Sequence, residues 1–399
     1  MLKTRQHPIF RVYTLLVLSV VISSFFATGV TLILHMNLGP PYLRYTVLMC
    51  LTMSITLYVA MALRLSPCQI DQQRIGIQRA FSLVLRFTFG KIIVVLMLNI
   101  GSIVLCNFHV ERELQPYMII SLTTLWYSAV FPIFYGTTKR LYREMTDEGK
   151  KRSRKRQQQM KEWIRLWLQG FPPCFFVGFF SILMMILRTW SSTHWYWIIA
   201  GGWAVKSTLQ FMLRVAASRF HLTPNFVQTT FIVIGIGMDA QVRMAVMDVD
   251  VQGDMTLEHV WTGSLIVMAL EFLSRVFSAG WFTRLLQRQE APPKALEKLH
   301  WVHSAGLFGN MMGEYGAIMG SILIQQAQGD NLAQLVYSAL IQIGAEFGID
   351  ALSMLIEHRL GIRIDAFLQD RIAIGIAINT ITACTCAMVI TGVFLFIEP

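Results

Sequence analysis

The sequence predicts an all-α protein that crosses a membrane many times. Of its 399 residues, 54% are hydrophobic and only 14% are charged, whereas about a quarter of the residues in soluble globular domains are charged. Apolar runs of about 18 residues or more, long enough for a helix to cross the hydrocarbon core of a bilayer, recur along the whole chain. We therefore expect lipid to surround most of the chain.

About eleven transmembrane helices are recognisable, within a range of nine to twelve. The run Phe10–Met36 is longer than the apolar core of a signal peptide, so we expect a retained first helix. Pro172 and Pro173 predict a kinked or delayed start of the fifth span, and Pro292 and Pro293 mark the connection before the ninth. The predicted spans cover about 11–36, 45–64, 87–107, 117–136, 166–189, 195–217, 223–245, 259–283, 299–325, 333–357 and 372–397.

The distribution of positive charge orients these spans. With the N-terminus in the cytoplasm, inner segments hold 26 of the 34 Lys and Arg residues. Outer segments and outer helix ends hold three, Arg44, Arg112 and Arg188. This asymmetry follows the positive-inside rule and accounts for the net charge of +11 without a nucleic-acid partner. The sequence indicates an integral membrane protein, and does not indicate which membrane.

A basic segment separates two predicted membrane parts. The chain divides into a four-helix part over 1–136, a cytoplasmic segment with an interfacial helix over 137–165, and a seven-helix part over 166–399. The middle segment suits contact with anionic lipid headgroups. The residues expected to make that contact are Lys150, Lys151, Arg152, Arg154, Lys155 and Arg156.

Charged residues inside spans concentrate in the rear part of the chain. The sixth to tenth spans contain Lys206, Arg214, Asp239, Arg243, Glu271, Arg275, Glu314, Glu346 and Asp350. Two pairs, Asp239 with Arg243 and Glu271 with Arg275, have the four-residue spacing that allows an ion pair on one helix face. Lys206 also lies in the sequence GGWAVKST, which faintly resembles a phosphate-binding loop. It lacks the glycine before the lysine, so we do not interpret it as such a loop.

Two consecutive helices carry the polar residues that matter most. His303, Asn310 and Glu314 share a face of the ninth span. Gln342, Glu346, Asp350, Ser353 and Glu357 form a stripe on the tenth. The short connection QQAQGDN predicts that these helices are antiparallel neighbours. Their glutamates lie near the bilayer midplane, where a carboxylate needs a partner or a function.

These residues favour a proton- or cation-coupled transporter or channel. Glu271, Glu314, Glu346 and Asp350 are the candidate proton- or cation-binding residues. The expected tuning and ion-pair residues are Arg275, His303, Asp239 and Arg243. The alternative is a non-catalytic scaffold or assembly subunit, since polar residues and small-residue spacings also hold membrane helices together. A receptor is a third hypothesis, and an enzyme is disfavoured because no catalytic constellation is recognisable.

The expected partners follow from the same observations. The bilayer, anionic lipids at the basic segment, and a helix–helix partner or a second copy of the chain are predicted, and nucleic acid is not. The nine histidines are dispersed, so His300 and His303 do not predict a metal site. No cofactor is expected.

Overall fold

The computed structural model consists mainly of long α-helices. It describes residues 7–36, 39–65, 69–70, 73–74, 76–110, 114–115, 117–123, 125–126, 136–137, 197, 199–217, 224–251, 257–288, 293–329 and 332–396. The described part of the basic segment is Thr137, so all six predicted headgroup contacts lie outside these ranges.

Nine long helices are labelled here within the described ranges. They are α1 Pro8–His35, α2 Pro41–Leu65, α3 Ile77–His109, α4 covering 199–217, α5 Pro224–Val251, α6 Leu257–Arg288, α7 Pro293–Gln328, α8 Leu332–Arg359 and α9 Arg371–Phe396. Two strands of two residues each, β1 (Gln69–Ile70) and β2 (Gln73–Arg74), pair in antiparallel orientation. A 3-10 turn covers Ala366–Gln369.

Six of these helices are long and apolar enough to cross a membrane: α1, α2, α3, α8, α9 and the Leu265–Arg284 part of α6. Large apolar side chains point outwards from them, including Phe25 on α1 and Phe108 on α3, which are 75% and 77% exposed. Such surfaces suit lipid. The structure agrees with an all-α membrane protein, and the predicted count of about eleven spans stays a prediction.

Local sequence signals set several helix ends. Helices α1, α2, α5 and α7 each begin at a proline, whose fixed φ and missing N–H suit the first turn. Helix α8 ends at Arg359, and Gly361, two residues later, has a φ of +78°. The amides of Gly361 and Ile362 donate to the carbonyls of His358 and Glu357. This is a Schellman ending, which satisfies carbonyls that lack an intrahelical partner.

The chain forms two compact units. One comprises Met1–His35 and Leu183–Val393, and the other comprises Met36–Ile182 and Phe394–Pro399. In the second unit, α2 packs on α3, with Tyr58, Met61 and Val84 in a shared apolar core. The first unit contains α1 and α4 to α8, together with most of α9.

Helix α7 is the centre of the first unit. Nearly all of its residues from His303 to Gln325 are buried, and α1, α5, α8 and the 3-10 turn contact it. Helix α9 reaches it too, since Thr385 lies against Gly316. A helix buried on all sides does not need a lipid-compatible surface, so α7 can carry more polar residues than its neighbours.

Helices α7 and α8 are antiparallel, as their connecting sequence predicts. Residues near the start of α7 contact residues near the end of α8, and residues near the end of α7 contact residues near the start of α8. The contacts are His303 with Glu357, Tyr315 with Asp350, and Ile322 with the cluster that contains Leu335.

Helix α5 packs on α7 through two facing glycines. A Cβ built on Gly313 would lie 2.7 Å from Gly235 Cα, so neither position has room for a side chain. This close approach brings Asp239, one turn after Gly235, to the same level as Glu314. The crossing therefore positions two of the candidate site residues.

We expect Gly313→Ala to lower the melting temperature of the purified protein. The added methyl group meets backbone, which cannot move aside cheaply, and overpacking of this kind costs about 1–3 kcal/mol. Gly344→Ala on α8 is the matched control. Its Cβ would meet nothing within 4 Å, and alanine is a better helix former than glycine by up to about 1 kcal/mol. Equal melting temperatures for the two variants would contradict the close crossing.

Candidate functional site: a buried ionic cluster

Five helices contribute charged side chains to one buried cluster. The ionic cluster, as defined here, comprises Lys206 from α4, Asp239 and Arg243 from α5, Glu271 and Arg275 from α6, Glu314 from α7, and Glu346 and Asp350 from α8. Every member is at most 6% exposed. Such burial is costly for ionised groups unless each is paired.

The ammonium of Lys206 lies among three carboxylates from three different helices. Its Nζ is 2.8 Å from both carboxylate oxygens of Asp239, 3.0 Å from Glu271 Oε1 and 3.2 Å from Glu314 Oε1. An ammonium group has three N–H donors, and these carboxylate oxygens use all three of them. Lys206 thus joins α4 to α5, α6 and α7 at one point.

Glu314 connects this lysine to a second cation. Its Oε2 accepts from Arg275 Nη2 at 2.8 Å, while Oε1 also accepts from Asn310 on its own helix. The other terminal nitrogen of Arg275 forms an ion pair with Asp350. Tyr315 donates to the second oxygen of Asp350 at 3.1 Å. The arginine therefore ties α6 to both α7 and α8.

Arg243 anchors the other end of the cluster. Its guanidinium pairs with Glu346 and donates to Gln342 at 3.1 Å, both on α8. The remaining oxygens, Glu271 Oε2 and Glu346 Oε2, have no hydrogen-bond donor among the described groups.

The charges of the cluster do not balance. Among the residues that the structure describes, five carboxylates face three cationic side chains, so full ionisation would leave two negative charges in excess. Including the neighbouring Arg214 and Glu357 does not change that excess. A buried site with this imbalance must hold protons or bind a cation.

The predicted site residues divide into those that the structure brings together and one that it does not. All four candidate proton- or cation-binding residues are in the cluster, with Arg275, Asp239 and Arg243. His303 lies apart, because it precedes Glu314 by about 16 Å along the axis of α7. It lies 3.5 Å from Glu357 and stacks on Phe282.

Two details of the sequence interpretation were wrong or incomplete. Arg243 and Arg275 pair with carboxylates on other helices, not with the residue four positions earlier on their own helix. Lys206, which the sequence analysis did not place in the site, makes the largest number of ionic contacts in the described cluster. A lysine deep in an apolar segment was the available signal.

A cavity of about 620 Å³ lies beside the cluster helices, between α4 and α6. Aromatic and hydroxyl side chains line it, among them Trp203, Ser207, Phe211 and Trp281. Arg214 donates to Ser278 at its wall. The members of the ionic cluster do not line this cavity.

We expect the Arg243–Glu346 pair to show strong coupling in a double-mutant cycle. Arg243→Met or Glu346→Gln alone leaves a buried charge without its partner, which costs about 3–5 kcal/mol. The double variant removes both charges and should recover part of that loss. Thermal unfolding in detergent measures the effect. Arg11→Met is the control, since Arg11 is 44% exposed in its pair with Asp365 and should cost less than about 1 kcal/mol. Additive losses in the cycle would contradict the pairing.

Comparison with known proteins gives no relative from which function can be inferred. No protein-family model matches the chain, and neither a curated protein nor a solved structure matches it. The functional conclusions therefore depend on the geometry and charge of the ionic cluster.

Proposed function

We propose that this multi-pass membrane protein is a proton- or cation-coupled transporter or channel that uses the ionic cluster as its ion-binding site. The observation that carries the proposal is the excess of two carboxylates over cations in a site that is almost fully buried. Ion pairs that serve only to hold helices together do not need that excess, and apolar residues pack helices at least as well. Ionisable residues inside membranes commonly mark ion pathways.

Each side chain has a role in this proposal. Glu271, Glu314, Glu346 and Asp350 bind the proton or cation, together with Asp239. Arg243 and Arg275 hold Glu346, Glu314 and Asp350 in place and reduce the repulsion between carboxylates. When a cation or proton leaves, the ion pairs among the five helices must rearrange, which would couple occupancy of the site to helix movement.

The topology that accompanies this function is also a proposal. It comprises about eleven spans, a cytoplasmic N-terminus and contact of the basic residues between Lys150 and Arg156 with anionic lipids. Positive charge on the inner side supports the orientation. We propose no enzymatic role for the cluster, because its residues are buried and do not line the described cavity, where a substrate could bind.

A specific observation favours a second candidate, a membrane scaffold or assembly subunit. Every cation of the ionic cluster pairs with carboxylates on other helices, and the side chains of the cluster are almost fully buried. In that case the cluster would serve to fix the helices in one arrangement. The two candidates differ in one measurable respect, since only a transporter moves ions across a bilayer.

We expect Glu314→Gln and Glu346→Gln to reduce ion flux at least about tenfold, the effect of losing about 1.4 kcal/mol of ion-binding free energy. Liposomes containing the purified protein and a pH-sensitive dye report proton flux under an imposed gradient of protons, Na⁺, K⁺ or Ca²⁺. Glu297→Gln is the control, because it makes the same change at an exposed position of α7.

The outcomes separate the two candidates. Flux in the wild type that both cluster variants lose, and that Glu297→Gln retains, supports the transporter. Absence of flux in the wild type, together with lower thermal stability of the two cluster variants, contradicts the transporter and supports the scaffold.

A further inference from the structure

We infer that Asp239, Glu271 and Glu314 form a binding site for a divalent cation of the size of Ca²⁺, and that the Lys206 ammonium is a tethered competitor for this site. The inference rests on the proposed function, since it names the ion class that the cluster would bind. Its basis is the arrangement of oxygen atoms, the charge of the cluster and the position of the lysine.

The oxygen atoms have the spacing of a cation site. One carboxylate oxygen from each of the three residues lies within 4.8 Å of the others. This is close enough for one cation to contact all three oxygens, since Ca²⁺ lies about 2.3–2.6 Å from its oxygen ligands. Mg²⁺ usually retains several of its waters when it binds, so a site as buried as this one favours Ca²⁺. Carboxylates are also the ligands that such hard cations prefer.

A buried, unpartnered oxygen points to a missing positive group. The carboxylate of Glu271 is 5% exposed, and its Oε2 has no hydrogen-bond donor among the described residues. The two excess negative charges of the ionic cluster require two positive charges from outside it. One divalent cation supplies that charge, and so do two protons, whereas one monovalent cation leaves the cluster charged.

The lysine already occupies the position where a cation would bind. Its Nζ lies 2.8–3.2 Å from oxygens of all three carboxylates. An ammonium and a divalent cation repel each other too strongly to share that position in a dry site. Lys206 has a flexible four-carbon stem, so its ammonium can leave this position when the cation binds and still remain within the ionic cluster, whose charge count includes it. Removing the ammonium should therefore increase the affinity for the cation.

Cation binding should compete with protons. The groups that face the site are Lys206 from α4, Asp239 and Arg243 from α5, Glu271 and Arg275 from α6, Glu314 and Tyr315 from α7, and Glu346 and Asp350 from α8. Since one divalent cation and two protons neutralise the same excess, Ca²⁺ should bind more weakly as the pH falls. Exchange of one for the other would leave the charge of the cluster unchanged.

Thermal unfolding of the full-length protein in detergent tests the inference. We expect Ca²⁺ to raise the melting temperature of Lys206→Met, with a half-maximal concentration at least tenfold lower than for the wild type. Mg²⁺ and Na⁺ should give smaller shifts. Lys91→Met is the matched control, because Lys91 lies on α3 and donates to Thr137 outside the cluster. It should respond to Ca²⁺ as the wild type does.

A second variant keeps the test decisive if removal of the lysine weakens folding. Lys206→Met combined with Glu271→Gln has the same net charge as the wild type but lacks one ligand, and we expect it to lose the Ca²⁺ response. If Lys206→Met unfolds without Ca²⁺, recovery of folded protein on adding Ca²⁺ replaces the shift as the measurement.

Two results would overturn the inference. One is a Ca²⁺ response of equal size in Lys206→Met and in the double variant. The other is no response, or no recovery of folded protein, in Lys206→Met. Either result combined with proton flux that depends on Glu314 leaves the proposed function in place. Absence of flux in the wild type would instead contradict the proposed function, whatever the Ca²⁺ response.

Discussion

The contact between the Lys206 ammonium and three carboxylates is the interaction on which the helical core depends. Asp239, Glu271 and Glu314 come from three helices. Without this lysine, Asp239 and Glu271 would have no cationic partner among the described residues, and Glu314 would keep only Arg275. A buried charge without a partner is costly away from water. The geometry of the first unit therefore satisfies an electrostatic requirement as well as a packing requirement. The residues of α7 that serve the two requirements, Glu314 and Gly313, are adjacent.

Small residues allow the helices that carry these charges to pack closely together. The α5–α7 crossing at Gly235 and Gly313 removes the side chains that would hold the helices apart. Close approach lets the short side chain of Asp239 reach the same lysine as the longer Glu314. The neighbours of α7 in turn shield it from lipid, which permits a sequence that contains Asn310, Glu314 and Gln325 in one buried helix. Packing and charge thus support each other.

Much of this organisation was predictable from the sequence, and the limits have a physical cause. Apolar length predicted the helices, and the short connection after α7 predicted its antiparallel neighbour. The rarity of carboxylates in apolar segments identified Glu271, Glu314 and Glu346. The choice of ion-pair partner was not predictable, because spacing along one helix says nothing about the helices that face it. Arg243 therefore pairs with Glu346 and not with Asp239, and Lys206 gains its partners only through packing.

Infrared spectroscopy of the protein in membranes tests the central claim most directly, because the C=O stretch distinguishes a protonated carboxyl group from a carboxylate. The excess of two carboxylates over cations predicts protonated carboxyl groups in the absence of added cations, with an intensity that falls when Glu346 is replaced by Gln. It also predicts loss of this signal on addition of Ca²⁺. A spectrum without protonated buried carboxyl groups, unchanged by Ca²⁺, would contradict an ion-binding role for the cluster.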